Sequence, residues 1–227
     1  MLTNTTAAVQ TVTYTVTPTG PAPSFCVGPA QVVTVTVDPI AVVSAGPDQL
    51  ICAGTVVNLA GTMSGGATSI TWSAPSGSFS NVNSLTSTYT PTATSGTIVL
   101  TITSNDPAGP CAAVTDVVNI VINQLPTVNA NIDQIVCAGG TITLAGIIGG
   151  DATSATWSAH TGAFSNVNNL TSTYTPSIAS GTVTLTLTTN DPAGPCLAVT
   201  DQMVVTVNPV ATVNANDSIY KMKGLSS

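Results

Sequence analysis

The sequence has no glutamate and no arginine, and its only two lysines, Lys221 and Lys223, stand in the last seven residues. Charged side chains make up 5% of the chain, far below the roughly 25% of an ordinary soluble domain. All nine acidic residues are aspartates, His160 is the one histidine, and the net charge is -7. Each shortage excludes something. Without Lys or Arg the first 220 positions cannot displace counterions from phosphates, so a nucleic-acid partner is excluded. Attraction to an anionic membrane surface fails for the same reason. Long apolar runs are missing too: Thr, Ser, Gly or Pro interrupts each one, so no stretch reads as a membrane-spanning helix and no direct membrane insertion is expected. Residues 1–10 lack the basic start and apolar core of a signal peptide, which places any export signal outside this sequence. Aromatic residues are only 4%, too few for a row of exposed sugar-stacking platforms.

What is present repeats. Residues 79–91 read FSNVNSLTSTYTP and residues 164–176 read FSNVNNLTSTYTP. NDPAGPC occurs at 105–111 and again at 190–196. Trp72 matches Trp157, Tyr89 matches Tyr174, Cys52 matches Cys137 and Cys111 matches Cys196, each at an offset of 85 residues. The offset also runs backwards, from Cys111 to Cys26, so QVVTVTVDP after Cys26 aligns with DVVNIVINQ at 116–124. The expected organisation is therefore residues 1–40 as the last two strands of a truncated module, 41–125 and 126–210 as complete modules, and 211–227 as the start of the next module plus a tail. TVNAN recurs at Thr127 and Thr212, but after Asn216 the register breaks into DSIYKMKGLSS. A native terminus, a cloning scar and a change of frame all remain open for that tail.

The period also selects the fold class. An 85-residue unit is far longer than a β-helix coil and suits a seven-stranded sandwich. In TVTLTLT at 182–188, Val183, Leu185 and Leu187 alternate with threonine. Val33, Val35 and Val37 do the same, as do Val118, Ile120 and Ile122, and Met203, Val205 and Val207. Period-two alternation turns one strand face to a core and the other to water. β-Branched Thr and Val suit that half-buried surface. The expectation is all-β: tandem immunoglobulin-like sandwich modules, with strands near 42–45, 49–53, 56–61, 70–73, 87–90, 97–104 and 116–122. Val57, Leu59, Trp72, Tyr89, Ile98, Leu100 and Ile102 are the expected core.

Five regularly placed cysteines in such a chain point to an oxidising, extracellular location. The natural within-module bridges are Cys52–Cys111 and Cys137–Cys196, which leaves Cys26 without a partner. Each would close a loop of about 60 residues and contribute about 4 kcal/mol. A zinc site is the rival use, but no CxxC pair exists and His160 stands where the other module has Pro75. Asp48, Asp106 and Asp116 recur as Asp133, Asp191 and Asp201, the candidate Ca2+ ligands at module junctions. Calcium wants six to eight oxygens and no DxDxD run supplies them. Apart from that cation no cofactor is called for. Phe79 and Phe164 are the candidate glycan contacts. No Glu, one unrepeated His and Gly pairs that precede no helix leave no acid–base pair, triad or phosphate loop, so the chain reads as no enzyme.

GPDQLICAGTVVNLAGT at 46–62 resembles the opening of PKD-type immunoglobulin-like modules, and TIVLTITSNDPAGPCAAVTDVVNIVI at 97–122 resembles their closing hairpin. The chain departs from that pattern at ITWSAPSGSFS, where an acidic, Gly-rich turn is usual. The cysteine-bearing form, with ICAG, SATWS and NDPAGPC, is similar to the tandem repeats of giant cell-surface proteins of Bacteroidetes, including SprB-type gliding adhesins. Over residues 1–216 that resemblance implies a long secreted chain, exported by the type IX system and held at the bacterial surface. It also implies roles in cell adhesion and gliding motility. The expected function is a non-catalytic stalk or adhesin segment whose partners are neighbouring modules and surface polysaccharide. The alternative is a carbohydrate-binding or spacer module of a secreted polysaccharide-degrading enzyme.

Overall fold

The computed structural model of the protein describes residues 2–6, 8–105, 112–191 and 194–213. Asp106, Cys111 and the tail with Lys221 and Lys223 lie outside them. Among the described residues every regular element is a β-strand. The chain divides into two compact units, Met1–Leu125 together with Ala193–Cys196, and Pro126–Pro192 together with Leu197–Ser227.

The first unit opens with an antiparallel hairpin, β1 (Gln10–Val16) and β2 (Gln31–Val37), with Gln10 opposite Val37. Nine strands follow: β3 (Ala41–Ser44), β4 (Gln49–Cys52), β5 (Val57–Asn58), β6 (Thr62–Gly65), β7 (Ile70–Ser73), β8 (Ser78–Phe79), β9 (Thr88–Thr90), β10 (Gly96–Ser104) and β11 (Thr115–Asn123). One sheet has the order β4-β11-β10-β7, a second β5-β9-β8, and β3 pairs with β6. All pairings are antiparallel except β4 with β11, which run parallel, Gln49 beside Ile120 and Cys52 beside Asn123.

The second unit repeats this plan with β12 (Thr127–Asn129), β13 (Gln134–Cys137), β14 (Ile142–Thr143), β15 (Ile147–Gly149), β16 (Ala155–Ala159), β17 (Ala163–Phe164), β18 (Thr173–Thr175), β19 (Gly181–Thr189) and β20 (Thr200–Asn208). Its sheets are β13-β20-β19-β16, β14-β18-β17 and β12-β15, again with one parallel pair, β13 and β20. Two packed sheets with the opening strand laid parallel to the closing strand make each unit an immunoglobulin-like sandwich.

The sandwich follows from the alternation. In β10, Ile98, Leu100 and Ile102 point inward while the Thr and Val between them do not, and Val118, Ile120 and Ile122 of β11 match them. Val57, Leu59 and Tyr89 close the same core from the other sheet, around Trp72. All seven residues expected to form the core are buried. Each fully buried aliphatic side chain contributes about 1.5–3 kcal/mol. Glycine makes room for the tryptophan: a methyl group on Gly61 would come 2.9 Å from Trp72 Cζ2, and one on Gly146 would come 3.0 Å from Trp157 Cζ2.

The β1–β2 hairpin differs from its counterparts. Tyr14, Val16, Val33 and Val35 are exposed, although β2 carries the alternation of β11 and β20.

Candidate functional site

The parallel pair of strands decides where the cysteines stand. Cys52 lies at the end of β4, beside Asn123, the last residue of β11. Cys111 precedes the first residue of β11 by only four positions. The nine residues of β11 put its two ends roughly 26 Å apart, and four residues of connecting chain reach back roughly 14 Å at most. A disulfide needs Cα atoms within about 7 Å. A Cys52–Cys111 bridge is therefore out of reach. The same geometry separates Cys137, beside Asn208 at the end of β20, from Cys196, four positions before β20 begins.

The bridge that forms is Cys52–Cys196, with Cα atoms 5.4 Å apart and a sequence separation of 144. This corrects both expected pairings. Cys137 and Cys26 are free and exposed, and Cys111 lies outside the described residues. The residues around the bond fit closely. Cys196 is 1% exposed, and its Sγ lies 4.0 Å from the carbonyl oxygen of Asn123. A methyl group added to Gly194 would come 2.7 Å from Asn123 Nδ2 and 3.3 Å from Leu50 Cδ2. Thus residues 194–196 of the β19–β20 connection belong to the first unit, although their strands belong to the second.

Four of the six aspartates named as calcium candidates accept hydrogen bonds from backbone N–H groups, and Asp106 lies outside the described residues. Asp48 accepts from the backbone N–H of Asn119 at 2.8 Å and from its side-chain amide at 3.0 Å. Asp116 accepts from the N–H of Ala45 at 2.8 Å. In the second unit Asp133 accepts from Val204 N–H and Asp201 from Ala130 N–H, both at 2.8 Å. Each carboxylate joins the opening segment of a module to its closing strand, 71 residues away. The Asn119 N–H and amide hold the Asp48 carboxyl below the usual carboxylate range; the Ala45 and Val117 N–H groups do the same for Asp116. Asp191 is exposed. Among the described residues no three His, Cys, Asp or Glu side chains gather into a metal site.

The phenylalanines proposed as glycan contacts are half-buried against the core rather than displayed. Phe79 packs 5.0 Å from the Tyr89 ring and 6.4 Å from Trp72, and Phe164 packs 4.8 Å from Tyr174. Behind them the tyrosines fasten the loops: Tyr89 Oη donates to the Ser76 carbonyl and Tyr174 Oη to the Thr161 carbonyl, each at 2.6 Å. Burial pushes both phenols above their ordinary range. The indoles differ. Trp72 Nε1 donates to the Ser84 carbonyl at 3.0 Å, whereas Trp157 Nε1 is buried without a hydrogen-bond partner. His160 is exposed just after β16.

No family model and no curated protein matches the chain. Solved structures similar to it carry tandem immunoglobulin domains. Extracellular domains 3–5 of Drosophila OTK match at 11% identity and TM-score 0.46, over 79% of this chain and 69% of that one. A three-immunoglobulin-domain segment of titin matches at 12% and 0.46, over 79% and 70%. The insect immune protein hemolin matches at 13% and 0.47, over 86% of this chain and 56% of its own. The immunoglobulin-like architecture itself rests on the strand order and core of each unit.

Proposed function

We propose that the chain is a non-catalytic, extracellular segment of a long bacterial surface protein, in which immunoglobulin-like repeats form or carry an adhesive filament. The observation that carries this reading is the Cys52–Cys196 bond, which ties one 85-residue repeat to the next. A bond of this kind persists outside the reducing cytosol, and a catalyst gains nothing from joining successive copies of one sandwich. Composition supports the same reading, because no trypsin-type cleavage site precedes Lys221. Contact between neighbouring repeats, and weak contacts multiplied along a chain, would supply avidity without any deep binding site.

Antibodies raised against the chain and applied to intact cells of the organism that makes it test the reading. Label at the cell surface is expected, with attachment lost on deletion of the gene. Label only in the medium, co-purifying with a polysaccharide hydrolase, would overturn it and favour the spacer alternative. Sequencing the gene beyond both ends gives an independent check: many further 85-residue copies are expected, not a catalytic domain flanking a few.

A further inference from the structure

We propose that Cys137 is the receiving half of a second clasp, and that its partner is the Gly-Pro-Cys loop of another repeat of this kind. The receiving site is seen filled once. At the end of β4 and β11, Leu50, Cys52 and Asn123 take Gly194 and Cys196, with the cysteines bonded. The same site recurs 85 residues on as Ile135, Cys137 and Asn208. Its backbone is the same: Cys137 pairs beside Asn208 as Cys52 does beside Asn123. Ala138 N–H donates to Asn208 O at 2.8 Å, as Ala53 does to Asn123 O at 2.9 Å. The difference is occupancy. Ile135 is 72% exposed against 46% for Leu50, and Cys137 carries a free thiol.

The inserting half recurs as well. In sequence, Gly109-Pro110-Cys111 repeats Gly194-Pro195-Cys196; Cys26 stands at the same 85-residue offset in the β1–β2 connection but follows Ser24-Phe25, without the Gly-Pro. The glycine matters because its φ of +139° is one that residues with a side chain rarely adopt. The two halves stand at opposite ends of a module, the receiving cysteine where the closing strand ends and the inserting cysteine before it begins. The clasp is thus directional: opening-strand cysteine to loop cysteine, never like to like. Closing it takes two thiols and a disulfide oxidant such as oxidised glutathione. One S–S bond forms, the oxidant's S–S bond breaks, and two molecules of reduced glutathione carry away the two protons and two electrons. The rule holds whether the repeats serve a filament or a spacer.

The test is the full chain with a further copy of residues 126–210 inserted in frame after residue 210, refolded with oxidised and reduced glutathione. The present chain has five cysteines, of which the described residues bond two and leave Cys26 and Cys137 free; the longer chain has seven. The proposal expects two bridges and three thiols, with Cys137 linked to the added loop cysteine in unreduced peptide maps. Five thiols, or Cys137 capped by glutathione, would overturn it, and so would the single thiol that within-module pairing leaves. Should the longer chain fail to fold, the present chain oxidised at high concentration gives a second reading. Linked pairs of Cys137 with Cys111 of another copy are expected; Cys137–Cys137 pairs would refute the directional rule.

Discussion

The two modules serve as controls for each other, and the tryptophans exploit this. Trp72 and Trp157 occupy equivalent positions in equivalent cores, 2% and 1% exposed, each against a glycine. Replacing either with Phe removes the same ring volume and the same indole N–H. What differs is the fate of that N–H. Trp72→Phe gives up a hydrogen bond to Ser84 O, a net loss of about 0.5–1.5 kcal/mol. Trp157→Phe removes a buried donor without a partner and so relieves a penalty of about 1–3 kcal/mol. With the packing loss common to both, Trp72→Phe should cost its module about 3 kcal/mol more than Trp157→Phe costs the other. Native-state hydrogen exchange read by mass spectrometry resolves the modules separately, through the amides of β10 and β11 and those of β19 and β20. The gap corresponds to a roughly 150-fold difference in lost protection. Equal losses in the two modules, or a greater loss for Trp157→Phe, would refute the reasoning.

Two further outcomes follow from the polar ties. Hydrogen bonds hold the Asp48 and Asp116 carboxyls below the usual carboxylate range, so their contribution is present above about pH 4 and is lost as the pH falls below it through the lower folded values. The first module should lose urea resistance between pH 6 and pH 3, and Asp48→Asn with Asp116→Asn should flatten that dependence; an unchanged slope would discard the assignment. Tyr89→Phe and Tyr174→Phe keep the ring but remove the hydrogen bonds to Ser76 O and Thr161 O, so each should cost its own module about 1 kcal/mol. Both phenols are raised in the fold, so their share of stability holds below pH 10 and fades above it. The Phe variants should lack that alkaline decline in a thermal-melt series, and its persistence would assign it elsewhere.

Much of this molecule was legible from its sequence because the signals were local or periodic. The alternation in TVTLTLT marks which side of β19 is buried, and the 85-residue offset carries that assignment across to β10. The short strands β6 and β8 went unread, since Thr62–Gly65 has no buried alternation and Ser78–Phe79 is only two residues long. Cysteine pairing failed for a topological reason. The sequence shows that Cys52 is near a module's opening and Cys111 near its closing hairpin, but not that the opening strand runs parallel to the closing one. That direction sends Cys52 to the end of β11 remote from the hairpin loop. The aspartates repeated as a ligand set would. Only the common separation of 71 residues between each carboxylate and the N–H that it accepts from, visible once the strands pair, reveals four ties between strands.

The spacing of the cysteines sets how much slack the covalent network can release. The Cys52–Cys196 bond takes 144 residues out of the path that tension follows from one end of the chain to the other. Between a loop cysteine and the next opening-strand cysteine lie only 26 positions, from Cys26 to Cys52 and again from Cys111 to Cys137. Together these make two periods of 85. An array clasped throughout would pay out about 26 residues in every 170, roughly 90 Å of chain, even with every sandwich unfolded. Such a cord stops lengthening long before its backbone is straight, and its limit is set by sulfur chemistry rather than by the strength of any one core.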